Sequence, residues 1–119
     1  MTFYFVELAH KITQKTIYKF GITKYTNVAR RFQQGFPERI KYLDFDIRLI
    51  DYIIQNKLTA AQIELFFLSK YNKDNVNEYL SESYNTNNLT GITEMRILNA
   101  DEINEVKELI ALIKVKNDS

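Results

Sequence analysis

Leu43, Phe45, Ile47 and Leu49 alternate with Asp44, Asp46, Arg48 and Ile50, a period-two pattern that predicts a half-exposed strand continuing toward Ile54. Two earlier runs, Phe3 to Leu8 and Thr16 to Thr23, are rich in aromatic and β-branched residues and also read as strands. The polar connection between them, His10 to Lys15, is short enough for an antiparallel hairpin. His10 is expected to be exposed at this connection, where it could also touch a phosphate. Gly21 sits inside the second strand pattern and marks either a bulge or close approach of another group, or simply a strand end.

Helical signals follow the strands. Thr26 can cap a helix that runs through Val28, Arg31 and Phe32 to Gly35, with Pro37 just beyond. On that helix Arg31 borders the apolar stripe whereas Arg30 points outward. Thr59 and Gln62 form a capping box, with Leu58 and Ile63 as a hydrophobic staple, ahead of a helix from Ala60 to about Tyr71. Its body, Ile63 to Leu68, is apolar on nearly every side, the mark of a buried helix, and Glu64 is the exception. An ionised carboxylate there needs a partner, because burying a lone charge is costly. Residues 72–90 are polar, with room for a short helix near Asn75 to Leu80, and residues 91–98 can hold a short strand. Asn99 and Glu102 cap a final amphipathic helix carrying Ile103, Val106, Ile110 and Ile113. The pattern predicts one α+β domain over residues 1–115. It has a small three-stranded, mainly antiparallel sheet flanked by helices and a frayed tail at residues 116–119.

Composition narrows the chemistry. The chain has 119 residues, 45% hydrophobic, with one Pro and three Gly, as expected of a packed globular domain. The lack of Cys excludes a disulfide framework, a thiolate zinc site and a cysteine nucleophile, and a single His excludes a multi-histidine metal site. No apolar run approaches the ~20 residues of a membrane span, and the N-terminus lacks the pattern of a secretory signal. A soluble, cytoplasmic protein without membrane association is therefore expected.

The net charge of +1 conceals a partition. From Lys11 to Lys41 there are eight bases (Lys11, Lys15, Lys19, Lys24, Arg30, Arg31, Arg39, Lys41) against one acid, Glu38, so this segment carries +7 and the remainder −6. If the segment forms one face, it could approach a phosphate backbone, and Lys11, Lys15, Lys24, Arg30 and Arg39 become candidate DNA contacts. The alternative is ordinary solvated charge.

Five segments in order resemble the GIY-YIG nuclease superfamily, in particular a small viral and bacterial branch whose second motif reads more like Tyr-Lys-Ile-Gly-Ile-Thr. Thr2-Phe3-Tyr4-Phe5-Val6 stands where the family has Gly-Ile-Tyr, without the Gly. Tyr18-Lys19-Phe20-Gly21-Ile22-Thr23 is similar to the second motif, with Lys19 where the standard form has tyrosine. Asn27 to Phe32 resembles the helix with the functional arginine, and Arg31 aligns best. Ala61-Gln62-Ile63-Glu64-Leu65 resembles the helix with the metal-binding glutamate, and Gly91-Ile92-Thr93-Glu94 a Gly-x-x-Glu segment before the last strand. The resemblance spans about Thr2 to Leu98 and rests on order and spacing.

The resemblance implies metal-assisted hydrolysis of a DNA phosphodiester with Mg²⁺ or Mn²⁺, in the host cytoplasm if the protein is viral. Tyr4, Lys19, Arg31 and Glu64 would be its catalytic residues. Glu64 would hold the single ion, Tyr4 would take a proton from the attacking water, and Arg31 would neutralise transition-state charge. Lys19 would orient the water or lower the pKa of Tyr4. Specificity would come from a homodimer or an accessory protein. Three other readings stay open: a weakened copy of the fold that binds DNA or protein, an unrelated α+β protein, and an interior salt bridge between Arg31 and Glu64. Tyr4 and Tyr18 could be packing residues, and Glu94 is read as structural.

Overall fold

The computed structural model describes residues 1–24, 26–28, 42–55, 58–73, 76–81 and 91–118. Strands β1 (Thr2–His10), β2 (Thr16–Thr23), β3 (Phe45–Ile54) and β4 (Met95–Arg96) form one antiparallel sheet in the order β3-β1-β2-β4. Helices α1 (Ala60–Lys70), α2 (Val76–Ser81) and α3 (Ala100–Asp118) and a 3₁₀ turn (Ile92–Glu94) complete the described elements. The fold is α+β as expected, but the sheet has four strands rather than three. The fourth is the short strand expected within residues 91–98, two residues long, and it joins the sheet by pairing with β2.

Alternation along β1 and β2 sorts the core onto two faces. Phe3, Phe5, Tyr18 and Phe20 face α1 and α3, where they meet Ile63, Phe67, Val106 and Ile110. Phe20 stacks on Phe5 at 5.0 Å and on Phe67 at 5.2 Å, so three aromatic rings tie the hairpin to α1. The opposite face presents Tyr4, Val6, Leu8 and Ile17 to Val28, Tyr42, Phe45, Val76, Leu80 and Met95. A register shift between Phe5 and Val6 leaves Ile50 as an extra residue in β3. This bulge sends Ile47 and Leu49 to the second face and Ile53 to the first.

Three local expectations change. His10 is buried rather than exposed: its ring meets Phe45 edge-on at 5.3 Å, and its Nδ1 accepts from the backbone N–H groups of Ile12 and Thr13. It therefore caps the hairpin turn from within. The C-terminus is not frayed at 116, since α3 continues to Asp118 and the buried Asn117 accepts from the Leu58 N–H at 3.1 Å. Nor is α1 buried all round; Ala60, Ile63 and Phe67 face the core, whereas Leu65 and Phe66 are 65% and 47% exposed. The expected helix from Thr26 to Gly35 lies, beyond residues 26–28, outside the described residues.

Capping follows the local sequence. Thr59 and Gln62 exchange both bonds of a capping box, and Asn99 and Glu102 do the same before α3. The far end of α1 is closed by Arg96, whose buried guanidinium donates to the carbonyls of Leu68, Tyr71, Thr93 and Met95 at 2.7–2.9 Å. A cation at a helix C-terminus also meets the favourable end of the dipole. Replacing Arg96 with Ala leaves these carbonyls without their donor in a dry site. The variant is expected to lose about 2–4 kcal/mol in urea denaturation, and a loss below about 0.5 kcal/mol would refute this role.

Candidate functional site

The β1–β2 register pairs Tyr4 with Gly21 and Val6 with Lys19, so Tyr4, Lys19 and Gly21 share the second face. The Tyr4 ring lies directly over Gly21: a Cβ at that position would come within 2.4 Å of the phenol Cζ and Oη. The glycine therefore marks a close approach, one of the two meanings its place in the strand allowed. Held there, the Tyr4 hydroxyl accepts a hydrogen bond from Lys19 Nζ at 3.0 Å, and both side chains are buried. Tyr18, one residue earlier, points to the other face, packs in its core and donates to Glu7 Oε2 at 3.1 Å. It is a packing residue with a satisfied hydroxyl.

A buried ammonium requires compensation. Lys19 receives it from the faces of Tyr4 and Tyr42, whose ring centres lie 5.5 and 5.6 Å from Nζ, and from Glu94 Oε2 at 3.7 Å. Glu94 is delivered by the 3₁₀ turn. Gly91 opens that turn in the left-handed region (φ 79°), and its carbonyl accepts from the Glu94 N–H at 3.0 Å. A Cβ on Gly91 would press within 3.2 Å of the Tyr42 hydroxyl, so the turn closes tightly over Lys19.

Glu64 reaches the same place from α1. Burial raises its pKa above the usual carboxylate value and repulsion from Glu94 raises it further, with Lys19 partly opposing both. The structure thus joins Lys19 directly to Tyr4, Tyr42 and Glu94, and Glu64 is linked to this group through the influence of Lys19 and Glu94 on its charge. The spacing of Glu94 from Gly91 is the sequence signal for its place here; Tyr42 carries none. Among the described residues no group of three or more His, Asp or Glu side chains stands ready for a metal. Glu64 and Glu94 supply carboxylate oxygens, the donor type a hard divalent cation takes.

The remaining expected residues do not join this cluster. Arg30, Arg31 and Arg39 lie outside the described residues. Lys11 is exposed on the hairpin turn, and Lys15 beside it donates to the Tyr79 carbonyl at 2.9 Å and sits 4.9 Å from the centre of that ring. Lys24 follows the opposite end of β2, roughly 26 Å from the turn for an eight-residue strand. Lys11, Lys15 and Lys24 therefore do not make a single patch.

Comparison with protein-family models, curated proteins and solved structures finds no match to this chain. No described helix is long and apolar enough to cross a membrane.

The site's geometry has measurable consequences for stability. Gly21→Ala must displace the Tyr4 ring, and a loss of about 1–3 kcal/mol is expected in urea denaturation. An unchanged stability would show that the ring does not depend on the glycine. Glu64 carries a pH signature. Its folded pKa is raised, so the native state holds the proton more tightly than the unfolded chain. Stability from this group is complete below the unfolded carboxylate value, about 4.3, and is lost as pH rises through the folded value. Glu64→Gln is accordingly expected to raise the urea midpoint at pH 7, with the gain shrinking toward pH 4. A variant less stable than the parent at pH 7 would contradict this.

Proposed function

We propose that this chain is a metal-dependent DNA endonuclease acting by a one-ion GIY-YIG-type mechanism. The observation that carries the reading is the buried contact between the Lys19 ammonium and the Tyr4 hydroxyl, with Lys19 also acting on the charge of Glu64. A structural role alone would not call for an ammonium at this place. An apolar residue could pack against Tyr4 without a desolvation cost.

Tyr4 serves as the proton acceptor. The Lys19 ammonium stands at hydrogen-bond distance from its hydroxyl. Lys19 takes the place of the second-motif tyrosine of the standard family pattern. Glu94 holds the Lys19 ammonium from the far side, so that it stays directed at Tyr4. Glu64 would hold Mg²⁺ or Mn²⁺, which when bound would polarise a phosphate oxygen and stabilise the leaving oxygen. Arg31 is assigned transition-state charge neutralisation on the resemblance alone. DNA remains the proposed substrate on the same ground.

The test is cleavage of supercoiled plasmid with Mg²⁺ or Mn²⁺, alongside EDTA. Tyr4→Phe, Lys19→Met, Arg31→Ala and Glu64→Ala are each expected to lower the rate by about 100-fold or more, with folding checked by circular dichroism. No metal-dependent cleavage, together with salt-sensitive DNA binding that survives Glu64→Ala, would replace this reading with that of a DNA-binding module.

A further inference from the structure

On the flank of α1 away from the Glu94 turn, the molecule exposes apolar side chains that nothing described covers. Leu58 (40% exposed), Phe66 (47%) and Leu112 (59%) surround a groove of about 520 Å³ between α1 and α3, lined also by Gln62, Ile63 and Lys116. Val115, 67% exposed, follows on α3. Clustered apolar exposure of this kind marks an interaction surface rather than scattered surface residues.

The charge pattern of α3 says what fits there. Glu108, Leu112 and Lys116 are spaced by four residues and form one row on the helix surface, acid on one side of the leucine and base on the other. A row of this kind is complementary to itself when reversed. If two α3 helices cross antiparallel with Leu112 at the two-fold axis, Glu108 of each faces Lys116 of the other, twice, while Leu112 and Val115 close over the grooves. The helix dipoles then also oppose favourably. An unrelated partner has no need for such a palindrome.

We propose that a second copy of this chain docks on the α1–α3 face through a two-fold antiparallel crossing of α3 centred on Leu112. The crossing uses the opposite flank of α1 from Glu94, so it does not cover Glu64 or Glu94. It does not depend on the nuclease reading.

Sedimentation equilibrium of the full chain, over a concentration series, tests the proposal. The expected result is a species of twice the 14.1 kDa chain mass. Leu112→Asp, a change at an exposed position, is expected to give monomer with an unchanged circular dichroism spectrum. Glu108→Lys and Lys116→Glu should each raise the dissociation constant about tenfold or more. An equimolar mixture of these two variants should recover association, because the reversed charges then face each other. A monomer up to several hundred micromolar would overturn the proposal. So would a dimer that is insensitive to Leu112→Asp, or charge variants that weaken association without recovery on mixing.

Discussion

The closeness of Tyr4 to Gly21 governs the arrangement around it. A strand residue with any side chain at position 21 would occupy the space of the phenol ring, and the ring would have to leave the sheet face. Once the ring lies flat over the glycine, its hydroxyl is carried toward Lys19, two residues back along β2 on the same face. The ammonium cannot sit there as an isolated charge, so it draws in Tyr42 and Glu94. An absent side chain thus leads, through packing, to a buried cation between a phenol and a carboxylate.

Arg96 makes this local arrangement rigid with respect to the helix. Its guanidinium binds the carbonyls of Leu68 and Tyr71 at the end of α1 and that of Thr93 in the turn that carries Glu94. One side chain therefore fixes the helix bearing Glu64 against the turn bearing Glu94. Burial of the guanidinium disfavours its charged form, and four carbonyl contacts offset that cost. The two-residue strand β4 exists to hold this clamp. Tyr18 pairs with Arg96 and Lys19 with Met95, so the clamp is registered directly on the strand that presents Lys19.

How much of this could be read from the chain depends on how local each cause is. Both capping boxes are legible because their four residues suffice to make the bonds, β1 and β2 because aromatic and β-branched runs mark them, and β3 because its alternation records which face is wet. A short strand within residues 91–98 is legible as well, but its place as the fourth strand of the sheet is not, since its partner strand and its Arg96 contacts come from distant segments. The bulge at Ile50 was hidden for the same reason: it reverses the alternation to serve two cores that only the assembled sheet defines. His10 looked like a surface residue, yet its ring nitrogen satisfies two turn N–H groups from inside. In the site, order along the chain pointed to Tyr4, Lys19 and Glu64. That Glu94 faces Lys19 is visible only once the left-handed Gly91 turn is formed. The basic run from Lys11 to Lys41 suggested a single face. A hairpin instead carries Lys11 and Lys24 to opposite ends of β2 and commits Lys15 to Tyr79.

Helix α1 reconciles two demands that its composition alone obscures. An evenly apolar helix could be buried on all sides, but then Glu64 would lose all contact with water and its ionised form would be prohibitively costly. The helix instead commits a narrow stripe, Ala60, Ile63 and Phe67, to the sheet and stays accessible on both flanks. On one flank Glu64 remains half-buried, close enough to Glu94 and Lys19 for their charges to act on it. The other flank must then expose Phe66 and leave a groove against α3. The apolar surface is thus the counterpart of the electrostatic site: a helix placed to keep a carboxylate reachable cannot also bury its remaining apolar side chains within one copy of the chain.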